Sequence, residues 1–192
     1  MEESDRLHNS IDVNAVPDTG DRAVLLRSQV RFCRHELGCN SLPKTENLDE
    51  MRKLLPVLEG YVKALVICAA GDGELSDPER EWILALCASG GGSYELVEEL
   101  RTLDPADLDI AALMNMTERP GLFTHVLIFH AIKASDADGV FDPREEMTIR
   151  AMASVLGVDG EYVDKLIALH REEEAFHKRK MAMLFPNGHP YP

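Results

Sequence analysis

A chain of 192 residues with 45% hydrophobic content is long enough to bury a core and too apolar to be disordered. Its formal charge of −14, from 34 acids against 20 bases, argues against nucleic acid as the direct partner, because phosphate binding needs a basic surface. That charge suits a cation ligand, a basic protein partner or a well-solvated surface.

No apolar run approaches the ~20 residues needed to span a bilayer, and the acidic start MEESD is unlike a signal peptide, so a cytoplasmic protein is expected. Residues 1–20 carry no periodic apolar face and read as a flexible tail. Asp21 caps a predicted helix to about Leu37, with Val24, Leu25, Val30 and Cys33 as its stripe; Gly38 stops it, and a loop with Pro43 completes the segment 21–47. A helical domain over 48–184 follows. Leu48, Met51, Leu54, Leu55 and Leu58 keep the helical period, with Pro56 expected to kink or divide the element. Val62, Leu65, Val66 and Ala69 then share one face up to Gly71-Asp72-Gly73. The next helix opens on Ser76-Asp77-Pro78-Glu79, carries Trp82, Ile83, Leu86 and Cys87, and stops at Gly90-Gly91-Gly92.

Ser93 caps a short helix, and Asp104-Pro105 opens another with Leu108, Ile110 and Leu113. After the Pro120-Gly121 break, the segment from Leu122 to about Ser135 is apolar almost all round, so it should be the most buried helix. Asp138-Gly139 turns, and Asp142-Pro143-Arg144-Glu145 opens a helix to about Leu156, with Gly157 as its stop. A last helix spans roughly Glu161–Leu184 with Tyr162, Leu166, Ile167 and Leu169 inward, and an irregular tail, 185–192, ends the chain. Cys68 and Cys87 lie in apolar helical runs and read as reduced core residues; no C-x-x-C spacing occurs.

One stretch recurs. Val62–Cys87 matches Ile128–Ala153 without a gap at an offset of 66 residues: Asp72 answers to Asp138, Gly73 to Gly139, Glu79 to Glu145 and Ile83 to Ile149. An internal repeat of helix, acidic turn and helix predicts an all-α bundle built from two duplicated hairpins. Each turn is dense in carboxylates: Asp72, Glu74, Asp77 and Glu79 in the first, Asp136, Asp138, Asp142 and Glu145 in the second. Calcium or magnesium needs several oxygen ligands at one centre, and a short interhelical turn can supply them. The spacing is also that of the closing half of an EF-hand loop, but Cys68 and Ala134 stand where its first Asp ligand is needed, so an ordinary EF-hand is excluded. The competing reading is capping: Asp-Gly is a good turn, and Ser or Asp before Pro-x-Glu is a good helix start.

The pattern Asp-Gly-x5-Glu followed by spaced apolar residues, carried by Asp72, Gly73, Glu79, Ile83 and Leu86 and by Asp138, Gly139, Glu145, Ile149 and Met152, resembles the TerB-like fold. That fold is named for tellurite-resistance proteins and is also found in a membrane-anchored DnaJ-like co-chaperone. The resemblance covers Leu48–Leu169 and implies a helical bundle whose acidic cluster is proposed to bind divalent metal, with a role in stress response or as an interaction module and no established reaction.

Other patterns lead less far. Glu174-x-x-His177 has the spacing of a di-iron ligand pair but no partner motif, so a solvated charged face is expected. His125 and His130 read as core or rim residues, His170 as a surface residue, and Met181 and Met183 as packing. Neither a phosphate loop nor a nucleophile elbow is present. The expectation is a non-enzymatic module that binds a divalent cation, calcium or magnesium, and an unidentified protein partner. The alternative is a metal-free helical adaptor whose acidic turns are caps alone.

Overall fold

The computed structural model describes residues 55–90, 92–108 and 124–188. The tail 1–20, the segment 21–47, the expected helix start at Leu48, and Ile110 and Leu113 lie outside them. The described residues form six α-helices and no strand: α1 (Leu55–Ala69), α2 (Asp77–Ser89), α3 (Tyr94–Thr102), α4 (Thr124–Ser135), α5 (Pro143–Val155) and α6 (Gly160–Leu184). Pro56 is the second described residue of α1, and the helix runs on from it unbroken to Ala69. After α3 the expected helix at Asp104-Pro105 is, over its described part, a single 3-10 turn, Pro105–Asp107, capped by the Asp104 side chain.

α4 lies at the centre, packed against α1, α2, α5 and α6. Its sequence explains this place. Leu127, Ile128, Ala131, Ile132 and Ala134 are all buried, leaving little polar surface to present to water. The predicted α1 stripe of Val62, Leu65, Val66 and Ala69 is buried against it, and Cys68 and Cys87 are free buried thiols. His130 sits in this core at 1% exposure; its Nδ1 is 2.7 Å from the Tyr61 hydroxyl, and its ring meets the edges of Tyr61 and Trp82. Trp82 is therefore half-buried against a histidine at the rim of the core.

α6 departs from expectation in one respect. Its inward stripe is Val163, Leu166, Ile167 and His170, spaced i, i+3, i+4 and i+7, while Tyr162 and Leu169 are exposed. A histidine completes the buried face, where hydrophobicity alone assigned its neighbour.

Candidate functional site

The two acidic turns are built by the same hydrogen bonds, displaced by 66 residues. Ala70 N donates to Val66 O and Gly73 N to Ala70 O; Asp136 N donates to Ile132 O and Gly139 N to Asp136 O. In each turn an aspartate then folds back, with Asp72 Oδ1 accepting from Glu74 N at 3.0 Å and Asp138 Oδ1 from Val140 N at 2.7 Å. Gly73 and Gly139 take φ of +106° and +87°, a region that a side chain disfavours. Each following helix starts with a reciprocal cap. Ser76 N donates to Glu79 Oε2 at 2.7 Å, and Asp142 N donates to Glu145 Oε2 at 2.8 Å, while the Ser76 and Asp142 side chains accept from backbone amides.

A glutamate that only closes a capping box can stay at the surface. Instead Glu79 is 3% exposed and Glu145 2% exposed, and the two carboxyl groups hydrogen-bond each other across the hairpins. Two adjacent carboxylates cannot both stay charged away from water. Burial, and then the bond to Glu79, push the Glu145 carboxyl up to about 9, so at neutral pH it carries a proton. The negative charge of Asp72 adds to that shift, which places Asp72 in the same cluster. The neighbouring Cys68 thiol is pushed up to about 12 by burial and then by Glu145, and is no nucleophile.

The turns meet because Gly71 allows it. A Cβ at Gly71 would lie 2.7 Å from Thr148 Oγ1 and 2.8 Å from Glu145 Cα, so only glycine lets the first turn rest on α5. Arg144 closes the cluster on its solvent side. It donates to Asp72 O at 2.7 Å and lies 3.5 Å from Asp72 Oδ2 and 3.1 Å from Asp142 Oδ1. Side-chain and backbone bonds from Arg144 hold the Asp142 carboxyl below its usual range.

Of the eight carboxylates singled out in the sequence, the structure thus gathers Asp72, Glu79, Asp142 and Glu145 at one junction. Glu74, Asp77 and Asp138 are exposed. Asp136 turns away to His170, whose Nε2 is 2.7 Å from Asp136 Oδ2. His170, expected at the surface, is 4% exposed, because α6 inserts it beside Phe129. Arg144 and His170 were not among the predicted site residues. Arg144 follows the capping proline at the turn, which was legible; His170 is distant in sequence and was not. Among the described residues no three His, Cys, Asp or Glu side chains already stand around one point at metal-ligating distance.

The fold and the junction define an all-helical protein in which a buried glutamate pair, flanked by two aspartates, joins two acidic turns. No family profile matches the chain, and no curated protein matches it. Among solved structures it is similar to a tellurite resistance protein of Nostoc punctiforme PCC 73102, with 30% identity and a TM-score of 0.68, over 86% of this chain and 96% of that one. The chain belongs to the TerB-like tellurite-resistance family.

Proposed function

We propose that the protein is a non-enzymatic TerB-like module that takes up one divalent cation at the junction of its acidic turns and engages a protein partner in a stress response related to tellurite resistance. The observation that carries this reading is the burial of Glu79 and Glu145 beside each other, where burial and Glu79 raise the Glu145 pKa. A cation would relieve the same repulsion that the proton now relieves. Glu79, Glu145, Asp72 and Asp142 supply the all-oxygen donor set that calcium or magnesium prefers. Arg144 is the resident competitor, and its exposed guanidinium would have to swing outward from Asp72 and Asp142 to admit a cation. The repeated turn hydrogen bonds, with corresponding glutamates meeting each other, support a duplication of the hairpin about that junction.

The metal-free adaptor has its own supporting observation: both glutamates close capping boxes, Arg144 already pairs with Asp72 and Asp142, and His170 hydrogen-bonds Asp136. Calorimetric titration of chelator-treated protein with calcium, magnesium and manganese separates the two. Cation uptake must expel the Glu145 proton, so the expected result is binding that tightens as pH rises and releases a proton. Absence of heat, together with a melting temperature unmoved by all three ions, leaves the adaptor.

A further inference from the structure

The second half of α6 is largely exposed. Among the described residues the helix fully buries none beyond His170; Glu174 and Met181 are half-buried, and the rest of Arg171–Leu184, which spans about 21 Å at 1.5 Å per residue, is exposed. An isolated helical stretch of this length is marginal in water. Along its whole length α6 carries a line of exposed apolar residues at intervals of seven: Tyr162, Leu169, Phe176 and Met183, at 41%, 50%, 56% and 78% exposure. Glu172, Glu173 and Glu174 precede Phe176, and Lys178, Arg179 and Lys180 follow it. Glu174 and Lys178 have the spacing of an intrahelical pair, yet among the described residues neither they nor Glu172 and Lys180 form an ion pair. Glu173 reaches Lys133 at 3.3 Å, and Arg179 lies over the Phe176 ring.

This pattern is its own complement when reversed about Phe176. An antiparallel copy centred on Phe176 sets Glu172 beside Arg179 on one flank, Glu173 beside Lys180 on the other and Leu169 against Met183, with Phe176 meeting Phe176 on the axis; Glu174 and Lys178, two residues from Phe176, lie on the far face of the helix. That is the self-complementarity a twofold interface requires. We infer that the exposed half of α6 pairs with the same segment of a second copy of this chain, antiparallel, with the twofold axis at Phe176. The single apolar line and the flanking charges make the dimer weak and salt-sensitive.

Sedimentation velocity of the full chain over a concentration series tests the pairing. The expected result is a monomer–dimer equilibrium that shifts to monomer as salt rises and on Phe176→Glu. It is lost in the triple variant E172K, E173K, E174K and in the triple variant K178E, R179E, K180E, and it returns when the two triple variants are mixed. These positions lie at the helix surface, and an unchanged far-ultraviolet spectrum confirms that the fold is intact. In a background with Cys33 and Cys39 replaced by serine, Phe176→Cys is expected to cross-link to itself under oxidation, whereas Leu169→Cys cross-links only with Met183→Cys. A monomer at every concentration, including one whose α6 face is covered by another part of its own chain, overturns the inference. So does a dimer indifferent to both triple variants, or efficient self-cross-linking through Leu169→Cys.

Discussion

At the scale of single residues the controlling fact is that two carboxyl groups are buried side by side. The folded protein holds a proton on Glu145 that the unfolded chain releases near 4.5. A raised carboxyl pKa stabilises the fold fully below the unfolded value, and that stability is lost as pH rises through the folded one. With chelator present, the melting temperature is therefore expected to fall between about pH 4.5 and 9. In Glu145→Gln, whose amide keeps a donor toward Glu79, this part of the fall should vanish; thermal melts across that range check it. If the variant and the unmodified protein lose stability in parallel, the shared proton is not the cause. Gly71→Ala tests the close approach itself. Its Cβ meets backbone as well as a side chain, so relief requires moving the turn off α5, at an expected cost of about 1–3 kcal/mol in chemical denaturation. Trp82→Ala, at a half-buried rim position, should cost about 2 kcal/mol, below the ~3–5 kcal/mol of a fully buried aromatic.

At the scale of elements, the starts of α2 and α5 illustrate how local chemistry and tertiary placement divide the work. Of the four orphan N–H groups at each helix start, Ser76 accepts from Glu79 N and Asp142 from Arg144 N, and Pro78 and Pro143 occupy positions that need no donor. Ser76→Ala and Asp142→Ala should each destabilise by about 1 kcal/mol, read from denaturant midpoints. Asp142→Ala should also free Arg144 from one of its two carboxylate partners. These caps were legible from Ser76-Asp77-Pro78-Glu79 and Asp142-Pro143-Arg144-Glu145, because capping depends on residues within one turn of each other. The same turns did not disclose that their closing glutamates are buried. α6 shows the reverse difficulty. Its length was legible, but the face it buries includes His170, whose apolar surroundings come from α4 and cannot be found by counting hydrophobic residues along α6.

At the scale of the whole molecule, the proposed cation couples two hairpins and so should act on global stability. A ligand that binds only the folded state stabilises it by roughly 2.7 kcal/mol at a hundredfold excess over its dissociation constant. For a chain of this size that is a rise of several degrees, at roughly 2–4 °C per kcal/mol. Asp72→Asn should abolish the calcium-dependent rise, and Asp138→Asn should keep it, because only Asp72 stands at the junction although both residues occupy the same place in their turns. Differential scanning fluorimetry of the two variants with and without calcium decides this. Equal loss in both would mean two separate turn sites.

The sequence by itself determined the helical class, the matched turns, the caps and the central place of α4, since each rests on periodicity or on contacts within a few residues. Membership of the TerB-like family was also visible in the repeated Asp-Gly-x5-Glu pattern. Only the tertiary structure decided that Glu79 and Glu145 face each other, that Asp138 and Asp136 stand apart from them, and that the second half of α6 leaves Phe176 and Met183 exposed. Those facts depend on how one hairpin is seated against another, through the gap left at Gly71 and the insertion of His170. Burial of a charge is a property of that seating and not of any local spacing.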